Sequence, residues 1–269
     1  MSSGSYNFDA EKIAGYLRRF VENLPKVYSW TADLQGLNRL EVLSYEEIYE
    51  LNQLSLYEKE VKLKFILRDK LQENFEYNPS LFNALCMWII RDWGGIKGAK
   101  EESTIPSLIK FINSEKPAYD RLPSLSKAGM FMFPEKNIIY DSRVIYSLNW
   151  VLLSQEAGSH FFPIPGGRNS KMNAFDMNVL IRLFNAEKYK PEKRSQLKNR
   201  NYISEIDKSL YVDEKDAYFE AISLIKKVNQ LLWDDERSEF PFYTEMILFS
   251  AADVEIFHDI TSKLKVRIS

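Results

Sequence analysis

Lys127 and Asp141 are the residues of this chain whose types and setting point most directly to chemistry. Asp141 lies in Tyr140-Asp141-Ser142-Arg143-Val144, just ahead of apolar positions at Val144, Ile145, Leu148, Val151 and Leu152. That spacing predicts a one-sided helix. Asp141 is its expected N-cap, with a carboxylate that accepts bonds from the free N–H groups of the first turn. The positive end of the helix dipole favours a negative charge there. Lys127 follows Leu122-Pro123-Ser124-Leu125-Ser126, which reads as the start of a shorter helix. The stretch from Leu122 to Leu153 is therefore expected to be helix, loop, helix, setting a lysine near an aspartate. A fixed carboxylate can stabilise growing positive charge or orient a water molecule. A lysine amine can attack carbon and form a Schiff base. Both residues also have plainer readings: Asp141 as a cap, which is compatible with catalysis, and Lys127 as a surface cation that meets phosphate.

Other chemistries find little support. His160 and His258 are the only histidines, and neither belongs to a metal-ligand pattern such as HExxH. Cys86 is the only cysteine and falls within an apolar helix, an inert setting for a thiol. It excludes an internal disulfide and a four-cysteine iron–sulfur cluster. No GxSxG elbow and no GxxxxGK[ST] loop is present. No cofactor is expected.

The elements that position these residues are helical. Helices are expected over 8–23, from Ser44 to about Leu54, from about Leu56 to Asn74, and from Asn78-Pro79 to Trp93. Ser44 with Glu47 forms a capping-box pattern, and Pro79 suits a first helical position. Residues 27–43 read as irregular or briefly extended. The helix ending at Trp93 carries Leu81, Phe82, Leu85, Cys86, Trp88, Ile89 and Ile90 and is expected at the core. Gly94 to Lys100 breaks it, either as a helix C-cap and turn or as a backbone nest for phosphate. Further helices are expected over 104–113, Ala174–Phe184 and 213–232, the last with Ala217, Phe219, Ile222, Ile225, Val228 and Leu231/Leu232 as its buried side. Two more, over Pro241–Phe249 and Asp253–Lys265, close the chain. Ser159 to Asn169 reads as a loop in which Arg168, beside paired glycines, either contacts phosphate or a base edge or belongs to an ordinary connection. Residues 187–200 form the most basic run, read as a DNA-facing loop or a solvated linker and as a weak boundary between two lobes of one domain spanning 1–269.

The segment from Leu122 to Leu153 resembles the helix-hairpin-helix DNA glycosylase superfamily, the fold of endonuclease III and 8-oxoguanine glycosylase. Those enzymes carry Leu-Pro-Gly-Val-Gly, then a lysine in the lyase-active members, then an aspartate that caps the next helix. Here the hairpin is Leu122-Pro123-Ser124-Leu125-Ser126, with serines for both glycines, followed by Lys127 and Asp141. The resemblance covers about thirty residues of 269. It implies an all-α, helix-hairpin-helix glycosylase-like fold. It also implies an enzyme that flips a damaged or modified base out of DNA and cuts its N-glycosidic bond. A hypermodified base of phage DNA, removed in antiviral defence, is one such substrate. On this reading Asp141 is the catalytic carboxylate and Lys127 a nucleophile or a phosphate contact. Ser124, Ser126, Arg143, Arg168 and Lys171 contact DNA, and Tyr140 lines the base pocket.

Composition sets the frame for these expectations. Apolar residues make up 45% and charged residues 28%, the balance of a globular protein. No apolar run reaches membrane-spanning length, so a cytoplasmic protein with no membrane as partner is expected. The resemblance implies DNA as the partner, and a monomer is expected. A net charge of −2 counts against binding through the overall field, though a local basic face is enough to meet phosphates. The alternative reading is a non-catalytic nucleic-acid-binding or protein-interaction module that keeps the fold.

Overall fold

The computed structural model describes residues 6–114, 117–166, 169–200, 202–203 and 207–264. The described chain is mostly α-helical, and its only β features are two isolated bridges, Phe8 with Gly158 and Phe161 with Tyr211. Helix α1 (Ala10–Val21) is capped by Asp9, whose side chain accepts from the Lys12 amide. After α2 (Leu24–Val27) the chain runs irregularly to α3 (Gln35–Arg39). The expected irregular stretch thus holds a short helix at its far end. Helices α4 (Tyr45–Asn52) and α5 (Leu56–Tyr77) each open on a capping box, Ser44 with Glu47 and Ser55 with Glu58. Each box satisfies two backbone donors that the first turn would otherwise leave unpaired.

Helix α6 (Pro79–Trp88) passes into a π-helical turn, Ile89–Trp93, before Gly94 ends it. The wider turn rotates the last residues relative to an ordinary helix, and such turns recur at functional sites. Then come α7 (Glu101–Ile112), α8 (Leu122–Met132) and α9 (Ser142–Ser154). The helix expected over Ala174–Phe184 starts three residues later, as α11 (Met177–Phe184), because Asp176 accepts from the Asn178 and Val179 amides and caps it; a short helix α10 (Ser170–Ala174) precedes it. Helices α12 (Glu214–Leu232), α13 (Phe242–Ala251) and α14 (Glu255–Lys263) follow. On α12, Phe219 and Leu231 are exposed rather than buried. The basic run 187–200 lies at the surface around the 3-10 turns Ala186–Tyr189 and Arg194–Lys198.

Helices α9 and α13 form the centre. α9 buries ten consecutive residues from Val144 to Leu153 and lies along α13, which is also apolar nearly all round. Helices apolar on every side belong inside a structure. Around this pair, α1 packs on α12 and α13, α5 on α6 and α8, and α7 on α8. The arrangement places the start of α9, the middle of α8, the π-turn and α13 around one point. Among the described residues no helix is long and apolar enough to cross a membrane.

Candidate functional site

The loop between α8 and α9 is pinned from both sides just before Asp141. The Tyr140 amide donates to Ser126 Oγ on α8 at 3.0 Å. The Ile139 amide donates to Glu245 Oε2 on α13 at 2.7 Å. With two successive amides held, the backbone delivers Asp141 to the start of α9. There its Oδ1 accepts from the Arg143 and Val144 amides, each at 3.0 Å. Its Oδ2 lies 3.9 Å from Lys127 Nζ, and the two side chains are 17% and 9% exposed. Lys127 also donates to the Pro123 carbonyl one turn earlier, at 3.1 Å. A Cβ on Gly94 would stand 2.7 Å from Lys127 Cδ, so the glycine ending the π-turn is what lets the lysine stem pass.

Asp141 borders a small cavity that it shares with Tyr28, Trp30, Lys64, Trp93, Ile139, Glu245, Met246 and Phe249. Its free volume is about 20 Å³, room for about one water molecule. The walls are aromatic. Trp30 meets Trp93 and Phe249 edge-on, with ring centroids 6.0 and 5.8 Å apart. The indole N–H of Trp30 is buried without a partner, an orphaned donor in a wall of the cavity. A ligand acceptor would relieve it, since an unpaired buried donor costs about 1–3 kcal/mol. Trp30 lies on the irregular stretch between α2 and α3 and is only half-buried, so no helix holds this wall in place.

Charge lies behind the aromatic walls. Lys64 Nζ pairs with Glu60 Oε1 at 2.8 Å, both nearly inaccessible, and sits over the rings of Trp93 and Phe131 at 5.0 and 4.7 Å. Trp93 donates its indole N–H to the other Glu60 oxygen at 3.1 Å. Burial pushes the Glu245 carboxyl up to about 8. The Lys64 ammonium and the Ile139 amide oppose this, the Asp141 charge adds to it, and Lys127 opposes it weakly.

The hairpin face carries a second cleft, of about 460 Å³, between the ends of α7 and α8. Gly98, Lys100, Ser103, Arg121 and Ser124 line it, so it joins the glycine–lysine run to the start of the hairpin. Arg121 adopts left-handed backbone (φ 57°) ahead of α8 and donates to the Ser103 carbonyl at 3.2 Å. Two cations, the hydroxyls of Ser103, Thr104 and Ser124, and two helix N-termini here suit a phosphate.

The remaining expected site residues are dispersed. Ser126 is fully buried and its hydroxyl is spent on the Tyr140 amide, so it faces the core. Tyr140 is also fully buried and does not line the cavity. Its hydroxyl donates to the Pro163 carbonyl at 2.8 Å. Arg143 is engaged with Asp253 at 3.0 Å and lies over the Phe249 ring, where it braces a cavity wall. Lys171 is exposed on α10. Arg168 lies outside the described residues. Burial raises the Cys86 thiol far above its usual range, as expected of an inert thiol. Among the described residues no group of histidine, cysteine, aspartate and glutamate is arranged to hold a metal.

Trp30, Lys64 and Glu245 were not among the residues expected at the site. Only Glu245 carries a sequence signal, a charge at a position whose helical spacing is apolar, among Tyr243, Met246 and Leu248. Comparison with known families, with curated proteins and with solved structures finds no match for this chain.

Proposed function

We propose that this protein is a DNA N-glycosylase that releases a damaged or modified base, with Asp141 as the carboxylate that serves the sugar. The observation that carries the reading is the placement of Asp141. Its carboxylate is fixed by two amides of α9, stands beside Lys127, and opens on an aromatic cavity with an orphaned donor. Cleavage of a base–sugar bond builds positive charge on the deoxyribose, and a preorganised carboxylate stabilises it. A base has a π-face for Trp93 and Phe249 and an acceptor edge for Trp30. It enters by displacing Trp30, because the free volume is too small for it. The Lys100–Arg121 cleft suits the phosphates of the bound strand.

Lys127 is not among the cavity-lining residues, which favours water rather than the lysine as the nucleophile. In this reading the lysine positions the Asp141 carboxylate. The small cavity favours one second reading, a module that binds DNA without cutting it.

Mass spectrometry of bases released from damaged DNA, genomic DNA and phage DNAs with modified bases tests the proposal. The expected result is one released base, absent with Asp141→Asn, whose amide still accepts from the α9 amides. No release by the unmutated protein, with salt-sensitive DNA binding intact, would overturn it in favour of the non-catalytic module.

A further inference from the structure

The cavity holds a second carboxyl that the role given to Asp141 leaves unused. Glu245 is 3% exposed on α13 and lines the same cavity. Its Oε2 is fixed by the amide of Ile139, two residues before Asp141. We propose that Glu245 is the general acid of this site and delivers a proton to a ring nitrogen or carbonyl oxygen of the departing base. The inference rests on the glycosylase reading and deepens it by naming the class of base.

The two carboxyls sit in different surroundings. Asp141 is held by two amides of a helix N-terminus, with an ammonium close by. Glu245 has one amide bond and otherwise faces rings and buried side chains. Carboxyl pairs divided in this way share acid and charge-stabilising duties. The charged and titratable groups facing Glu245 are Lys64 from α5, itself paired with Glu60, Lys127 from α8, Asp141 ahead of α9, and the phenols of Tyr28 and Tyr218. Glu60 and Lys64 form a pair with each other, so the balance at Glu245 is set chiefly by burial. That burial keeps the acid form in place at neutral pH.

The step balances without any further reactant than water. The Glu245 O–H bond breaks, its electrons stay on the carboxylate, and the proton bonds to the base. The C1′–N bond breaks and its electron pair leaves with the base, which departs neutral. Water oxygen bonds to the positive C1′, and its proton passes to Asp141. Solvent then returns a proton to Glu245 and takes one from Asp141. A base that is already cationic, such as an N7-alkylated purine, leaves without this help. The site is therefore suited to neutral modified bases, whose departure needs protonation.

Glu245→Gln tests the proposal, because it keeps the volume and the acceptor for the Ile139 amide and removes only the transferable proton. With a duplex carrying a neutral base that the unmutated protein releases, kcat is expected to fall by about 100-fold or more while duplex affinity is unchanged. The unmutated protein should lose activity as pH rises through about 8, and the residual activity of the variant should lack that limb. If Glu245→Gln fails to fold, the unmutated pH profile decides alone, and a rate flat from about pH 6 to 9.5 overturns the assignment. A variant that matches the unmutated kcat and profile also overturns it and leaves the glycosylase reading standing. No release by the unmutated protein removes the glycosylase reading, and this role with it.

Discussion

Lys127 illustrates what a single residue's surroundings decide. Its Nζ is occupied by the Pro123 carbonyl and the Asp141 carboxylate, away from the cavity wall. Borohydride reduction during turnover should therefore trap no covalent protein–DNA adduct, since that requires a Schiff base. Lys127→Gln should lower the rate about tenfold by loosening Asp141, roughly the loss of one charge-assisted contact. A trapped adduct that disappears in the variant would make the lysine the nucleophile after all. At this scale the sequence carried the proximity of Asp141 and Lys127 and not the rest of the candidate site. Asp141 and Lys127 were legible because capping and hairpin spacing are local. Glu245, Lys64 and Trp30 were not, because their meaning comes from partners far along the chain. Glu60 and Lys64, at i and i+4 on a charged helix, look like any solvated pair until α13 and the π-turn close over them.

Among the elements, the α7–α8 hairpin is the part whose use can be tested apart from catalysis. Sequence reasoning put both Ser124 and Ser126 on the phosphate. Their two-residue spacing on a helix turns them to different sides, so Ser124 lines the cleft and Ser126 meets the core. Arg121 and Lys100 are the cations that remain there. Arg121→Ala and Lys100→Ala should each weaken duplex binding uniformly across sequences and reduce the salt slope by about one. Unchanged slopes in a filter-binding titration over salt would place the backbone contact elsewhere. The helix pattern itself was well read, since caps and apolar spacing are local properties. The π-turn was not, because its residues have the same apolar spacing as an ordinary helix end. The start of α11 falls three residues past the expected one for a related reason: Asp176 in an amphipathic run reads as one more polar position, although here it caps.

For the whole molecule, Asp259 is the tie between distant parts. Its Oδ2 accepts from Tyr16 on α1 and from Trp150 on α9, both at 2.8 Å, and Lys263 lies 3.1 Å away. Burial works against its charge, but the bonds from Trp150, Tyr16 and Lys263 outweigh it and hold the carboxyl below its usual range. A depressed value means that stability is present above the unfolded carboxyl's range and is lost as pH falls through the folded value. Asp259→Ala should cost about 2–4 kcal/mol by leaving two buried donors unpaired. It should also flatten the acid limb of the stability curve, as measured by urea titration at several pH values. A variant as stable as the unmutated protein, with the same acid limb, would remove Asp259 from that role.

The Ile139–Glu245 bond that positions Asp141 joins residues 106 apart, and Tyr16 meets Asp259 across 243. Contacts of that separation charge the entropy of a long loop before they return anything, so they form late. The hairpin and the α9 cap are local and can form early. On the proposed function, a refolding chain would acquire its strand-gripping surface before it has a place to put a base. Competence to bind and competence to cut would then arrive in sequence, the second only with the last closure of the chain.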